Sequence, residues 1–249
     1  MGFYESYSLA QKRFKKFVAW NLYQNNLLQK ADLIHCASVN EERSLKSLNN
    51  KFKTSVIPFG IDNKFIKKKI KKKLRKKCLF FSRLHKKKGL DKLLNAWKSL
   101  DNHEWKLDIM GYGNSSPYKK MIKENKDLDI KFLKPISHSS KKFKLFEKYD
   151  LLVLPSSNEN FGIVVLESLA RATPVLTTNE TPWSIIQDKN AGWIINNSFE
   201  ELKLVLNQIF TITEKELTLK KKNTIKIAKL FSQEKLSNKY YSIYKGLAN

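Results

Sequence analysis

Cysteine is scarce in this 249-residue chain: Cys36 and Cys78 stand alone, with no CxxC spacing. That excludes a disulfide framework, argues against a structural zinc site and fits a reducing compartment. Acidic residues are also few, 23 Asp and Glu against 48 Lys and Arg, which leaves a formal net charge of +25. Within that excess arginine is rare, with five residues (Arg13, Arg43, Arg75, Arg83 and Arg171) against 43 lysines. Such a surface seeks anions, and nucleic acid, anionic lipid and phosphorylated small molecules all qualify. Long apolar runs are missing. The longest uncharged stretch, Phe17 to Gln29, has 13 residues with polar amides at its centre, too short to span a bilayer. Met1 to Lys15 lacks the apolar segment of a signal peptide, so the expected location is the cytoplasm, with peripheral attachment to the inner face of the cytoplasmic membrane as a refinement. The four histidines (His35, His85, His103 and His138) show no metal-ligand spacing.

What is present suffices for a core: 41% of the residues are apolar, enough for one large domain or two small ones. From Cys78 onward short β-rich runs alternate with helical ones, the signature of a parallel sheet covered by crossover helices. Strands are expected at Cys78–Ser82, Lys106–Met110, Ile130–Leu133, Leu151–Pro155, Pro174–Thr177 and Gly192–Ile195. Helices are expected at Leu90–Leu100, Tyr118–Asn125, Lys141–Lys148, Gly162–Arg171, Trp183–Lys189 and Phe199–Phe210. The fold class is therefore α/β, a Rossmann-like doubly wound sheet over 78–212, followed by C-terminal helices over 213–249. Residues 1–60 read as a short α/β fragment: a helix over Lys12–Lys30, strands at Leu33–Ala37 and Thr54–Ile57, and a helix begun by Ser38 with Glu41 three residues on, the spacing of a capping box. Two strands cannot bury both faces of a parallel sheet, so this piece is expected to end a larger domain or to pack on the second one. Between the two runs a basic linker, 61–77, with ten basic residues in the fourteen from Lys64 to Lys77, expected to be an exposed linker or a flanking strand pair because that charge density resists burial.

Two segments carry chemistry. Ser157-Asn158-Glu159-Asn160-Phe161-Gly162 follows the buried strand ending at Pro155, and Glu167 lies eight residues after Glu159. A strand, a glycine turn and a helix begun near Gly162 place free backbone N–H groups at the carboxyl edge of the sheet, where phosphates bind. Both carboxylates would then reach the crevice and accept hydrogen bonds from sugar hydroxyls; the plainer alternative makes Glu167 a surface acid of the helix. The other segment is Ser82-Arg83-Leu84, with Lys88-Gly89 close behind, directly after the first strand of the same sheet. Arg83 and Lys88 would point over the same edge as the Gly162 helix, a geometry for gripping a diphosphate. A solvated basic patch is the alternative there.

In order along the chain, these segments resemble glycosyltransferase family 4 (group 1) enzymes of the GT-B fold. The family's G-R-L-x-x-x-K-G segment is similar to Ser82-Arg83-Leu84 with Lys88-Gly89, its strand ending in G-x-G to Gly111-Tyr112-Gly113, and its E-x7-E segment to Glu159 and Glu167 after Pro155-Ser156. Ala172-Thr173-Pro174-Val175 resembles the small-residue strand that follows, Thr181-Pro182-Trp183 looks like a variant of lipopolysaccharide-type members, and Val56-Ile57-Pro58-Phe59-Gly60-Ile61-Asp62 resembles the interdomain segment. The resemblance spans Ala31 to Phe210. It implies that Arg83 and Lys88 hold the nucleotide diphosphate, that Glu159 with the Asn160, Phe161 and Gly162 backbone, next to Ile163, holds the donor sugar, and that Glu167 takes the ribose hydroxyls. It places the base near Lys134, Pro135 and Ile136. It further implies transfer with retention, no required metal and no other cofactor. Three positions depart from the pattern: Ser82 and Ala172 stand where glycine is usual and Phe59 where asparagine is. Ser82 lies where a backbone would approach the phosphate.

The expected partner is a nucleotide sugar, and the expected function is a retaining glycosyltransferase acting on a glycan or lipid-linked acceptor in surface polysaccharide or lipopolysaccharide synthesis. The chain reads as its donor half in truncated or split form, with a separate acceptor-domain chain as a possible partner. A noncatalytic nucleotide-sugar-binding subunit is the alternative, and a basic nucleic-acid-binding protein the alternative of another class, which no motif supports. Lys12, Arg13, Lys15 and Lys16 beside Phe14, Phe17, Val18, Trp20 and Leu22 suit an anionic membrane surface through residues 12–30, unless that aromatic face packs inward. Asp127-Leu128-Asp129 has the form of a metal-binding D-x-D but precedes a strand in a charged turn and reads as surface.

Overall fold

The computed structural model describes residues 18–70, 72–100, 104–123, 129–136 and 140–248. Residues 12–17 of the expected basic helix, His103, His138 and Asp127-Leu128 lie outside the described residues. A six-stranded sheet dominates: β3 (Lys77–Phe81), β4 (Lys106–Met110), β5 (Ile130–Leu133), β6 (Leu151–Leu154), β7 (Val175–Thr178) and β8 (Gly192–Ile195). All its neighbours pair parallel, in the order β5-β4-β3-β6-β7-β8. Chain order therefore runs outward from β3 in one direction and outward from β6 in the other, so the two central strands, β3 and β6, flank a topological switch point. The central strands are continuous apolar runs, with β6 and β7 buried at every residue, as befits a parallel sheet covered on both faces.

The covering helices owe their form to apolar spacing. In α3 (Leu90–Lys98), Leu90, Leu93, Leu94 and Trp97 recur at three-to-four spacing and are buried. The other helices over this sheet are α4 (Ser116–Lys123), α5 (Ser140–Phe146), α6 (Ile163–Ala170), α7 (Ile185–Asp188), α8 (Phe199–Phe210) and α9 (Glu214–Leu230). A capping box of Thr213 and Glu216 starts α9, and Ser198 caps α8 by accepting from the Glu201 N–H. Two strand ends shift by one residue for a chemical reason: β6 stops at Leu154 and β7 starts at Val175 because Pro155 and Pro174 have no N–H for the ladder. The helix expected from Trp183 shortens to α7, which is entered through a tight turn in which the Trp183 and Ser184 carbonyls accept from the Ile186 and Gln187 N–H groups.

Ahead of the large sheet stand α1 (Asn25–Gln29), preceded by a π-helical turn at Trp20–Gln24, then β1 (Ile34–Cys36), α2 (Val39–Leu48) and β2 (Thr54–Val56). β1 and β2 pair parallel as a two-stranded sheet. The last helix, α10 (Gln233–Ala248), returns to this piece. Ile61 donates its N–H to Phe231 and accepts from Gln233, Lys239 Nζ donates to the Val56 carbonyl at 2.7 Å, and the Tyr240 ring meets His35 edge-on with centroids 5.6 Å apart.

The linker corrects the expectation of an exposed tether. Ile66 is buried, and Ile70 and Leu74, four and eight residues on, pack against the main core. The Lys67 N–H donates to the Ala170 carbonyl at 2.8 Å, Lys67 Nζ and Arg171 both pair with Glu147, and the Arg75 N–H donates to Asp150 Oδ2 at 2.5 Å. Lys68, Lys69, Lys72 and Lys73 stay exposed, so the charge stands in water as expected while the apolar every-fourth residues fasten the segment down.

Candidate functional site

The loops that leave β3 and β6 lie against each other at the switch point. Gly89 and Pro155 make this approach possible: a Cβ on Gly89 would stand 2.1 Å from the Pro155 carbonyl oxygen, and Gly89 has φ +70°, so only glycine fits. The Ser157 N–H and Oγ both donate to the Lys87 carbonyl, at 2.9 and 3.1 Å. The pair Gly111 and Gly113 serves backbone packing too. A Cβ on Gly111 would stand 1.8 Å from the Ser82 carbonyl oxygen, while the Leu84 N–H donates to the Tyr112 carbonyl at 2.7 Å. Ser82, where glycine is usual, is not among the residues with positive φ, and its backbone bonds β4 through the Met110 carbonyl.

Lys88 and Glu159 meet across the two loops. Lys88 Nζ lies 2.5 Å from Glu159 Oε1, with side chains only 13% and 9% exposed, and Ser156 Oγ donates to the same oxygen at 2.9 Å. Glu167 has a different cation. It is 5% exposed on the second turn of α6, and Lys142 of α5 reaches its two oxygens at 2.8 and 2.5 Å while standing over the Phe81 ring at 5.2 Å. Glu167 is therefore not a surface acid of the helix, and the two carboxylates pair with separate cations. Arg83 is exposed at the end of β3 and has no hydrogen-bond or ion-pair partner among the described residues. Pro135 and Ile136 follow β5, two strands from β3 and thus about 10 Å across the sheet edge. Pro135 is exposed and Ile136 partly covered by the core.

The segment 159–162 turns into α6 through Gly162, at φ +70° and ψ 62°, with no side chain capping the helix. A Cβ on Gly162 would stand 3.6 Å from Glu159 Cγ, so the positive end of the helix dipole lies beside the Lys88–Glu159 pair, and the first helical residue, Ile163, is exposed. Phe161 anchors the turn: it is buried among Phe59, Trp183 and Phe231, with centroid distances of 5.4, 5.0 and 6.0 Å, and its carbonyl accepts from Trp183 Nε1. Phe59, one of the departures from the family pattern, thus gains a packing role. Asn160 Nδ2 donates to Glu41 Oε1 at 2.8 Å. The roles of Trp183, Lys142 and Glu41 are not legible in the sequence: Trp183 is visible there only as part of a motif, Lys142 carries no signal, and Glu41 has the spacing of a cap.

Other chemistries find little support. Burial, helped by the Glu41 and Glu42 charges, pushes the Cys36 thiol up to about 11, and burial with Asp150 pushes Cys78 well above its ordinary value, so neither is a thiolate near neutral pH. His35 lies against the Ile57 carbonyl at 2.6 Å and the Tyr240 ring, in the small sheet rather than at the switch point. Among the described residues no group of three His, Cys, Asp or Glu side chains could hold a metal ion, and no helix is long and apolar enough to cross a membrane.

Comparison with known proteins agrees with this geometry. An uncharacterized glycosyltransferase of Methanocaldococcus jannaschii is 36% identical over 107 residues, covering 42% of this chain and 27% of that protein. The fold is similar to sucrose-phosphate synthase from Thermosynechococcus elongatus, with a TM-score of 0.81 at 18% identity over 98% of this chain and 64% of that one. It is also similar to Anabaena HepE in complex with UDP and glucose, with a TM-score of 0.77 at 20% identity over 94% of this chain and 68% of that one. Against the first three curated relatives it matches, the chain spans from 27% to 51% of their length. The family model for glycosyl transferases group 1 matches residues 62–226, which takes in both loops, the switch point and the linker, and the chain belongs to that family.

Proposed function

We propose that these residues form the donor-binding half of a retaining glycosyltransferase, which moves a sugar from a nucleoside diphosphate to a glycan or lipid-linked acceptor of a surface polysaccharide or lipopolysaccharide. The observation that carries this reading is the meeting of the β3 and β6 loops at the switch point, where Lys88 pairs with Glu159 ahead of an uncapped helix N-terminus, with an exposed Arg83 two residues after β3. Arg83, Lys88 and the α6 dipole would neutralise the departing diphosphate, a preorganised effect worth roughly 2.7 to 4 kcal/mol for a well-placed donor. Glu159 and the 160–162 backbone would hold the sugar, Glu167 the ribose, and the Pro135–Ile136 edge the base. HepE, similar in fold, holds UDP and glucose, which supports a nucleotide-sugar donor here. Transfer also needs a wall that orients the acceptor hydroxyl and excludes water, an effect worth roughly 7 to 11 kcal/mol. We assign that wall to a facing acceptor domain, carried by the same polypeptide or by a separate chain, with residues 1–60 as its end.

Titration calorimetry with a panel of UDP-, GDP- and ADP-sugars tests the donor reading. At least one should bind, and Arg83→Ala should weaken it by roughly 1.5 to 3 kcal/mol, as for a charged hydrogen bond. The reading fails if no member of the panel binds or if Arg83→Ala binds as the wild type does.

The membrane surface remains part of the proposal. Trp20 packs edge-on against Phe52, but Leu22, Tyr23 and Leu27 stay exposed on the helical stretch that follows residues 12–17. Basic residues with exposed apolar side chains suit an anionic headgroup layer. Cosedimentation with phosphatidylglycerol vesicles and not with phosphatidylcholine vesicles is expected; absence of sedimentation at low salt would dispose of this partner.

A further inference from the structure

Glu41 stands in the first turn of α2, where its spacing from Ser38 predicts a reciprocal cap. Only half of that cap forms. The Glu41 N–H donates to Ser38 Oγ at 3.2 Å, but the carboxylate does not return to Ser38: Oε2 accepts from the Ala37 N–H at 2.7 Å, and Oε1 accepts from Asn160 Nδ2 at 2.8 Å. The last bond joins residues 119 apart, the first turn of a helix beside the small sheet and the loop that follows β6 in the large one.

Asn160 lies between two residues held in other ways. Glu159 is fixed by Lys88 and Ser156, both from the large-sheet portion of the chain, and its N–H donates to the Glu180 carbonyl at 3.3 Å. Phe161 is fixed by Trp183 and Phe231 and by Phe59, which precedes the linker. Among the described residues the side chain of Asn160 has one hydrogen-bonding tether, Glu41, and it comes from the piece before residue 60. A carboxylate accepting from an amide is a charge-assisted bond, short and directional, so it sets the orientation of the residue that donates. With the Glu159 and Phe161 side chains pinned on either side, the Asn160 tether completes the definition of the backbone between them.

We infer that Glu41 is a positioning residue for sugar recognition: it touches no donor atom, but by holding Asn160 it orients the 160–162 backbone that meets the donor sugar. This rests on the donor-binding reading above. It assigns to the segment before residue 60 a part in donor selection, separate from any part in binding the acceptor.

Two measurements on the full 249-residue chain test it. Without ligand, Glu41→Ala should raise amide hydrogen exchange at Asn160–Ile163 by about tenfold while β3 and β6 keep their protection. A swapped pair, Glu41→Gln with Asn160→Asp, should restore it, since the introduced amide can donate to the introduced carboxylate while its own carbonyl oxygen still accepts from the Ala37 N–H. In calorimetry, Glu41→Ala should weaken UDP-glucose by about tenfold and UDP by less than about twofold, because only the sugar-bearing ligand reads the loop. Unchanged exchange in the loop overturns the anchoring whatever the ligand. Equal losses for UDP and UDP-glucose overturn the sugar-recognition role and reduce Glu41 to a support of the fold. If the wild type binds neither UDP-glucose nor any other nucleotide sugar, the donor reading has failed and takes the recognition role with it, while the exchange result still judges the anchoring.

Discussion

Replacing Glu159 with glutamine is expected to tighten free UDP and loosen UDP-glucose. In the structure Lys88, the cation assigned to the diphosphate, is committed to Glu159 at 2.5 Å in a poorly exposed contact. If Lys88 takes the diphosphate as proposed, the incoming ligand must draw it away from Glu159, and the released carboxylate is then free for a sugar hydroxyl. In Glu159→Gln a neutral amide would hold Lys88 without a charge, so the diphosphate would compete with a weaker partner. A gain of about tenfold for UDP, roughly 1.4 kcal/mol, is expected, with a loss of similar size for UDP-glucose as the carboxylate acceptor disappears. Lys88→Met should act in the opposite direction on UDP. It removes the cation and leaves Glu159 nearly buried without a counter-ion, so affinity for both ligands should fall and the fold should lose roughly 3 kcal/mol. Calorimetry with the two ligands decides: if Glu159→Gln shifts UDP and UDP-glucose in the same direction, the exchange of Lys88 between carboxylate and diphosphate does not occur.

Lys221→Met is expected to be the most destabilising single substitution considered. Lys221 Nζ pairs with Asp150 Oδ1 at 2.8 Å, the two side chains are 4% and 0% exposed, and Asp150 Oδ2 also accepts from the Arg75 N–H. Removing the lysine leaves a carboxylate buried with one backbone donor, a loss of about 3 to 5 kcal/mol for a broken buried pair. At about 2 to 4 °C per kcal/mol for a domain of this size, the melting temperature should fall by roughly 10 °C. Asp150 directly precedes β6, so the same loss should loosen the strand that carries the donor loop. Adding Asp150→Asn to Lys221→Met should recover part of the loss, because the residual group is then neutral and can still accept from Arg75. Thermal unfolding followed by circular dichroism checks both; a shift of only a degree or two for Lys221→Met would mean that water reaches Asp150.

The six strands of the large sheet are legible in the sequence because each is a short apolar run bounded by turn residues, and the helices because their apolar residues recur at three-to-four spacing. The candidate site is legible in part. Arg83, Lys88, Glu159 and Gly162 follow strands directly, so their location at the carboxyl edge comes from local order. Their partners are not legible, because a pairing such as Lys142 with Glu167 depends on how α5 and α6 cover the sheet. The linker departs from its expectation because charge density speaks only for lysines such as Lys68, Lys69, Lys72 and Lys73, which stay exposed, while Ile66, Ile70 and Leu74, with the Lys67 pairing to Glu147, fasten the segment to the core.

What the sequence by itself determined is the α/β class, the succession of elements and the residue types at the sheet edge, which follow from spacing over a few residues, while the resemblance of several segments in order pointed to the family. Only the tertiary structure decided the order β5-β4-β3-β6-β7-β8, and with it the switch point between β3 and β6. It alone brought Glu41 to Asn160, 119 residues away, and Lys239 of the last helix to Val56, 183 residues away. Such contacts leave no local trace, because they arise when crossover connections and packed faces bring distant segments together, and the free energy that selects them belongs to the whole core rather than to any one stretch of chain.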